Sequence, residues 1–514
     1  MSRAPDPERT RVERLFAART QRAHQRAIVS PTDGSVLTHG ELFRRADRVA
    51  AGLRTRGVAR GDRVAIWADP TPAFVVTLLA IYRCGAIAVP LNTRYRGAEA
   101  RHVLEDSGAS AIVHDRPHAL SEAGAEAIAL RIALGAPAEG EHAFGALAED
   151  GTEITDPLPR DADPALIIYT SGTTGPSKGA LLSHRAVVDN ITALTEAWRW
   201  SSGDTLVLAL PLFHVHGLCI GVHGALLHGL STVLLPRFSP EGVVQAFREH
   251  AGTVFMGVPT MYVHLIEHLE RHPENTDVLR AARLFTAGSA ALAPAQLERF
   301  EALTGHRILE RYGMTETLIT LTNPYDGVRR PGAVGFPVPG CEIRVVDDDG
   351  REVTDGTPGE LLVRSNGIMD GYWGRPDATG AAFSNGWFVT GDVVTRDADG
   401  AVRIVGRKSV DIIKSGGFKI AAREIEDVLH THPRVREAAV VGVADARWGE
   451  RICAAVVLES VSDDFDAEAE LTTLVADRLA DYKKPRQILV LDSLPRNALG
   501  KVEKVRLRQA FGSK

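Results

Sequence analysis

The feature that most constrains the fold is a regular alternation of strand-like and helix-like segments before about residue 330. The strand-like segments are short and apolar, as in Arg63–Trp67 and residues 86–90. The segments between them have helical periodicity, as in Pro72–Arg83, residues 98–107 and residues 217–228. This alternation predicts parallel sheets covered by helices, with ligands bound at the carboxyl ends of the strands.

The pattern changes near residue 330, where short strands separated by Gly- and Asp-rich turns take over. These strands predict a small antiparallel or barrel-like subdomain. A compact mixture of strands and helices follows from about Arg407. Because a single hydrophobic core rarely grows past ~250–300 residues, a chain of 514 residues is expected to form at least two domains. We place the N-terminal domain at residues 1–406 and the C-terminal domain at residues 407–514.

Composition excludes several functional classes. The chain has 59 Lys+Arg against 65 Asp+Glu and a net charge of −6, which argues against a general nucleic-acid binder. Its 4 cysteines are far apart and form no Cys-x-x-Cys pair, so they predict neither a zinc site nor a disulfide framework. The N-terminus lacks an apolar core, and no stretch of ~18 apolar residues is present. We therefore expect a cytoplasmic enzyme without a membrane association.

The strongest local signal is the segment 169–179, which reads Tyr-Thr-Ser-Gly-Thr-Thr-Gly-Pro-Ser-Lys-Gly. It follows a buried-looking strand and precedes a helix that we expect to begin after Ser183. Glycines allow the backbone to approach phosphate oxygens, hydroxyls donate hydrogen bonds and lysine supplies charge. The predicted phosphate-binding residues are Thr170, Ser171, Gly172, Thr173, Thr174, Gly175 and Lys178. A Walker loop is disfavoured, because Ser177 rather than glycine precedes the lysine and Gly179 follows it.

Further motifs extend the signal along nearly the whole chain. They are Pro-Leu-Phe-His at 211–214, Gly-Ser-Ala at 288–290, Arg-Tyr-Gly-Met-Thr-Glu at 311–316, Thr-Gly-Asp at 390–392, Gly-Arg at 406–407, Lys-Ser-Gly-Gly-Phe at 414–418 and Pro-Arg-Asn-Ala-Leu-Gly-Lys at 495–501. In this order they resemble the adenylate-forming superfamily of acyl-CoA synthetases, adenylation domains and luciferases. Within it, segments 213–218, 257–262 and 323–327 most resemble malonyl-CoA synthetases.

The resemblance implies an α/β fold. Its large N-terminal domain would contain two helix-covered, mostly parallel sheets and a small β-barrel-like subdomain, followed by a small mobile α+β domain. It also implies an AMP-forming acid–thiol ligase that joins a small carboxylic acid to AMP, releases pyrophosphate and transfers the acyl group to coenzyme A. ATP, Mg²⁺ and coenzyme A are the expected cofactor and co-substrates. The expected enzyme is a monomer or homodimer without a fused carrier domain.

The resemblance assigns roles to individual residues. The loop 170–178 would bind the β- and γ-phosphates, Thr315 would contact the α-phosphate, and Glu316 with Thr170 would hold Mg²⁺. Asp392 would accept hydrogen bonds from the ribose hydroxyls, and Arg407 would contact the ribose or phosphate. The remaining nucleotide-binding residues are Gly288, Ser289, Ala290, Glu310, Arg311, Tyr312 and Gly313.

Two segments of the C-terminal domain would alternate at the site. Lys501 is the expected catalytic lysine of adenylate formation, and Ser415, Gly416 and Gly417 form the loop expected to border the coenzyme A tunnel in the second step. The chain has one residue more between Arg407 and Asp411 than the commonest family pattern, which leaves the hinge among residues 408–410.

The acid is a separate question. His214 would lie beside the acyl pocket, and a dicarboxylate would require a fixed cation for which Arg283 and Arg237 are the candidates. The predicted acid is malonate, with methylmalonate second. Ile319 and Thr320 depart from the Met-Asn of malonyl-CoA synthetases, which keeps a short- or medium-chain monocarboxylate ligase open. A stand-alone adenylation enzyme that loads a carrier protein and an inactive nucleotide-binding regulator also stay open.

Overall fold

The computed structural model describes residues 10–150, 154, 156–170, 176–290, 292–408, 410–415, 418–459, 465–497 and 501–512. Within them, a large N-terminal part contains two extended sheets and a smaller C-terminal part contains a third. The predicted α/β class is confirmed.

The first sheet is 8-stranded, and most of its strands are parallel. In spatial order its strands are Gly371–Tyr372, Lys178–Ser183, Pro164–Thr170, Ile87–Pro90, Arg63–Trp67, Ala111–His114, Leu130–Ala133 and His142–Ala143. The first two strands run antiparallel to their neighbours. The central strand Arg63–Trp67 is almost wholly buried, which agrees with its continuous apolar run.

The second sheet is 14-stranded and changes character along its width. Its parallel half contains Arg26–Ser30, Ser231–Leu234, Thr205–Leu208, Val254–Gly257, Leu284–Ala287 and Leu309–Met314, with Ser35–Thr38 antiparallel at the edge. Its antiparallel half contains Leu318–Thr322, Ala333–Pro337, Val402–Arg407, Trp387–Arg396, Gly359–Ser365 and Cys341–Val346, with Phe383–Ser384 beside it. The predicted antiparallel subdomain is therefore present as a continuation of the second sheet.

The C-terminal part has its own sheet and core. Its strands are Phe418–Ala421, Ile412–Ser415, Gly449–Leu458, Val435–Asp445 and Gln487–Val490. Helices Ala422–Leu429 and Ala467–Arg478 pack on one face, and helix Lys504–Gly512 packs on the other. The chain leaves the second sheet at Arg407 and enters this sheet at Ile412, on either side of the predicted hinge.

Helices cover both large sheets. They are Arg11–Phe16, Ala18–Gln21, His39–Thr55, Pro72–Arg83, Gly97–Ser107, Pro117–Leu120, Phe144–Asp150, His184–Ala197, Gly224–His228, Pro240–His250, Pro259–Arg271, Thr276–Arg280, Pro294–Thr304 and Pro376–Ala381, with short 3₁₀ turns at Ala125–Ala127 and Pro273–Asn275. A further 3₁₀ turn, Asp481–Lys483, lies in the C-terminal part. Ser183 caps helix His184–Ala197 through a hydrogen bond from the Ala186 amide, as predicted.

Two local predictions differ from the structure. The phosphate loop connects two antiparallel strands, because Lys178–Ser183 intervenes between the loop and the helix. The predicted helix over residues 217–228 is a π-helix, His216–His223, continued by Gly224–His228. π-helical segments occur frequently at functional sites, and His216 lies at the start of this one.

The structure also bears on the cysteines and on membrane association. All 4 cysteines are free and buried. Among the described helices, none combines the length and the apolar character that a membrane span requires.

Candidate functional site

The predicted nucleotide-binding motifs lie at the carboxyl edge of the second sheet. Strand Leu284–Ala287 leads into Gly288 and Ser289, and the neighbouring parallel strand Leu309–Met314 leads into Thr315 and Glu316. Ser289 has a φ of 72°, an uncommon conformation for a residue with a side chain, and such strain concentrates at functional sites. The predicted nucleotide-binding motifs therefore meet where ligands bind in open α/β sheets.

Asp392 is held from two sides. The Tyr312 hydroxyl donates a short hydrogen bond to its Oδ2, and Arg407 Nε lies 2.9 Å from its Oδ1. Asp392 and Arg407 are direct partners on neighbouring antiparallel strands. Burial raises the pKa of Asp392, while the Arg407 guanidinium opposes the rise. Each carboxylate oxygen retains a lone pair, so the group remains able to accept hydrogen bonds from two ribose hydroxyls.

The Tyr372 ring connects Lys178, at one end of the phosphate loop, with Glu316, the predicted Mg²⁺ ligand. Thr170 and Lys178 are direct partners at the base of the loop. Lys178 Nζ lies 4.8 Å from the centre of the Tyr372 ring, and the Tyr372 hydroxyl donates to Glu316 Oε1 at 3.0 Å. Ser171, Gly172, Thr173, Thr174 and Gly175 lie outside the described residues, as do Gly416 and Gly417.

Lys501 reaches this site from the C-terminal part. The Asn497 side chain accepts a hydrogen bond from the Lys501 amide at 3.0 Å. Lys501 is accessible to solvent, and nearby protein groups partly desolvate its ammonium group. Burial lowers the pKa of Lys501. The positive charges of Arg407 and Arg311 lower it further, whereas the carboxylates of Asp392 and Glu316 oppose the decrease. The lysine and the nucleotide motifs thus face one another across the two parts.

Arg311 is a buried cation beside the predicted acyl pocket. Arg311 is only 5% exposed, and its Nε and Nη2 have no hydrogen-bond partner among the described residues. Gly288 makes room for it, since a Cβ at that position would lie 2.3 Å from Arg311 Cζ. Burial lowers the pKa of Arg311 to about 9, which still leaves the group charged at neutral pH. An uncompensated buried charge is costly, and it indicates a site for an anion.

Two histidines adjoin this cation. His214 Nδ1 accepts a hydrogen bond from the His216 amide at 3.2 Å, and His216 Nδ1 lies 3.4 Å from the Ser289 hydroxyl. Burial, together with the charges of Lys501 and Arg311, lowers the pKa of His214 to about 3. Neutral imidazoles therefore line the side of the cleft that contains Arg311.

Glu310 and Gly313 belong to strand Leu309–Met314, which also carries Arg311. Glu310 is buried, its Oε2 accepts a hydrogen bond from the Gly332 amide at 3.1 Å, and burial raises its pKa to about 7. A Cβ at Gly313 would lie 1.9 Å from the Leu318 carbonyl oxygen, so a side chain there would prevent the two strands from closing. Ala290 is exposed at the rim of the site.

The structure separates the two predicted acid-binding arginines. Arg283 precedes strand Leu284–Ala287 and lies at its amino end, ~13 Å from the carboxyl edge by strand length. Its Nε and Nη2 donate to Oδ1 and Oδ2 of Asp204 at 2.6 and 2.7 Å. The structure therefore does not bring Arg283 together with the other site residues. Arg237 is exposed just beyond the carboxyl end of strand Ser231–Leu234, on the side of the sheet where the site lies.

Sequence reasoning missed Tyr372 and placed Arg311 among the nucleotide-binding residues. Tyr372 is 56 positions away from Glu316 in the chain, so spacing carried no signal of their hydrogen bond. For Arg311, the available signal was an arginine within a buried strand, where a charge requires a counter-ion.

Comparisons with known proteins agree with this geometry. The family model described as AMP-binding enzyme matches residues 15–373, and the model described as AMP-binding enzyme C-terminal domain matches residues 424–501. The chain belongs to the AMP-binding enzyme family. Among this family's members, the malonate–CoA ligase of Arabidopsis thaliana is 36% identical, with 93% of this chain and 83% of the relative covered. An indoleacetate–CoA ligase of Aromatoleum aromaticum is 37% identical, with 93% and 94% covered.

A solved structure of the family is equally similar. ATP-bound MatB from Rhodopseudomonas palustris superimposes with a TM-score of 0.89 at 36% identity, covering 97% of this chain and 98% of that chain. The predicted family, fold and reaction class, an AMP-forming acid–CoA ligase, are confirmed. The nucleotide substrate is ATP. The domain boundary, the site roles and the cytoplasmic location stay predictions.

Proposed function

We propose that this AMP-binding enzyme is a malonate–CoA ligase that uses Mg²⁺, ATP and coenzyme A. In the first step a carboxylate oxygen of malonate attacks the α-phosphorus of ATP, and pyrophosphate leaves. In the second step the sulfur of coenzyme A, its thiol proton lost, attacks the acyl carbon, and AMP leaves. Loading of a carrier protein would share only the first step.

The first step brings two anions together, so fixed positive charge lowers its barrier. Lys178 at the phosphate loop and Lys501 from the C-terminal part supply this charge from opposite sides of the cleft. Glu316 would hold Mg²⁺, which would neutralise phosphate charge. Because Mg²⁺ typically uses one or two protein carboxylates and completes its shell with substrate phosphates and water, this donor set fits. It also fits the finding that no larger cluster of metal-binding side chains occurs in the described residues.

The unpaired, buried guanidinium of Arg311 is the observation on which the choice of malonate as the acid depends. Relatives at 36% and 37% identity are named for acids as different as malonate and indoleacetate, so overall similarity does not decide the substrate. A buried, unpartnered guanidinium beside His214 and His216 would pair with the second carboxylate of malonate. A monocarboxylate would leave the charge unpaired. This role replaces the one predicted for Arg283, and exposed Arg237 remains a second contact.

The surface next to the glycine loop supports coenzyme A as the acceptor. Ser415 is buried and its backbone pairs with Phe418 and Gly449, which fixes both ends of the loop. Phe418 is 50% exposed and stacks on Tyr482, with ring centres 4.2 Å apart. An exposed aromatic stack of this kind suits the adenine of coenzyme A.

The test is AMP release with a panel of acids, namely malonate, methylmalonate, acetate, butyrate, octanoate and benzoate, with coenzyme A present. We expect the largest kcat/KM for malonate. A larger value for butyrate or octanoate would refute the choice of acid. Release of AMP with a phosphopantetheinyl carrier but not with coenzyme A would refute the choice of acceptor.

A further inference from the structure

Tyr372 occupies the space between the two oppositely charged groups of the ATP site. Its ring lies under Lys178 Nζ at 4.8 Å, and its hydroxyl donates to Glu316 Oε1 at 3.0 Å. Among the residues that the structure describes, neither Lys178 nor Glu316 forms an ion pair. One side chain therefore contacts both the phosphate-loop cation and the carboxylate assigned to Mg²⁺.

The backbone around Tyr372 fixes this position. Strand Gly371–Tyr372 pairs with the strand that starts at Lys178, and the Trp373 amide donates to the Gly179 carbonyl at 2.8 Å. The Met369 amide donates to the Glu316 carbonyl at 2.8 Å. The segment thus joins the first sheet, which carries the phosphate loop, to the turn of the second sheet that carries Glu316. The backbone around Tyr372 is therefore hydrogen-bonded both to the strand that carries Lys178 and to the turn that carries Glu316.

We propose that Tyr372 is a positioning residue that keeps Lys178 and Glu316 apart, so that both charges are available when Mg-ATP arrives. This inference rests on the proposed function, in which Lys178 binds phosphate and Glu316 binds Mg²⁺. Glu316 is only 6% exposed, and an ion pair formed there would be shielded from solvent. Mg-ATP would then have to break that pair before either group could bind it. The Tyr372 hydroxyl also holds Oε1 of Glu316 by a hydrogen bond, so Oε2 would be the oxygen available to Mg²⁺.

The ring and the hydroxyl make separable contributions. Tyr372→Phe keeps the spacer and the face on which Lys178 rests, but removes the hydrogen bond to Glu316. Tyr372→Leu removes the aromatic face and opens a path between the two charges. The matched control is Tyr325→Leu, because the Tyr325 ring also lies against a cation, Arg283, but at the opposite edge of the sheet.

The experiment measures the dissociation constant of Mg-ATP by calorimetry without acid, followed by KM and kcat for Mg-ATP with saturating malonate and coenzyme A. We expect Tyr372→Leu to weaken Mg-ATP binding about tenfold or more while kcat changes about threefold or less. Tyr372→Phe should restore most of the affinity, and Tyr325→Leu should bind as the wild type does.

Three results would overturn the inference or the function on which it rests. Equal losses in Tyr372→Phe and Tyr372→Leu would show that the ring is not a spacer, and tighter Mg-ATP binding by Tyr372→Leu would show that the ring sequesters Lys178. If Tyr372→Leu fails to unfold cooperatively, Tyr372→Met supplies the same comparison with a larger apolar side chain. Failure of the wild type to use malonate would instead refute the proposed function, since the calorimetric comparison needs no acid.

Discussion

Replacing the buried cation Arg311 with methionine should both change the substrate preference and stabilise the free enzyme. In the free enzyme the guanidinium is buried with two unpartnered nitrogens, so a long apolar side chain removes an uncompensated charge. In the malonate complex the same change leaves the second carboxylate buried without its partner. Removing one member of a buried ion pair costs about 3–5 kcal/mol, which corresponds to a loss of roughly a hundred- to a thousandfold or more in kcat/KM for malonate.

The assay is AMP release with malonate and with butyrate, accompanied by thermal unfolding. For Arg311→Met we expect kcat/KM for butyrate to stay equal or to rise, because butyrate no longer leaves a charge unpaired, and we expect the unfolding midpoint to rise. Arg283→Met is the matched control. It leaves Asp204, 4% exposed at its side chain, without its bidentate partner, and should lower the unfolding midpoint without a selective effect on malonate.

Two results would refute this reasoning. An equal loss of kcat/KM for malonate and butyrate in Arg311→Met would place Arg311 at the nucleotide rather than at the acid. A selective loss of malonate activity in Arg283→Met would restore Arg283 to the acyl pocket and would contradict its position at the amino edge of the sheet.

Three further expectations concern charges in and behind the cleft. Lys501→Ala should nearly abolish pyrophosphate exchange while thioester formation from supplied acyl-AMP stays largely intact, and equal loss in both half-reactions would count against the two-step assignment. Lys504 Nζ lies 2.6 Å from Asp411 Oδ1 and 2.7 Å from Glu426 Oε1. Lys504→Met should therefore destabilise the C-terminal part by about 3–5 kcal/mol in denaturant unfolding. An unchanged unfolding midpoint would show that these two ion pairs do not stabilise the fold. Burial raises the pKa of Glu310 to about 7, whereas the pKa of a glutamate in the unfolded chain is about 4.3, so ionisation of Glu310 destabilises the fold increasingly as the pH rises between these two values. Glu310→Gln should therefore be more stable than the wild type at pH 8 but not at pH 4. A stability difference that does not depend on pH would contradict this expectation.

The fold class and most of the nucleotide site were accessible from the sequence because their signals are local. Alternating apolar and amphipathic segments predicted helix-covered parallel sheets, and the Gly- and hydroxyl-rich loop predicted a phosphate site. Ser183 was identifiable as a helix cap since capping depends on residues three positions away. The strand Lys178–Ser183 was missed, because its pairing with Pro164–Thr170 runs antiparallel within a mostly parallel sheet.

Tertiary structure alone decided which charges are paired. Arg283 and Arg311 look alike in sequence, but the first meets Asp204 from 79 positions away and the second remains buried without a carboxylate among the described residues. Tyr372 contacts Lys178 and Glu316 only because two sheets meet at that point. Local sequence determines how a backbone segment folds, whereas the partner of a charge depends on which distant segments pack against it, and electrostatic energy in a buried site is set by that partner.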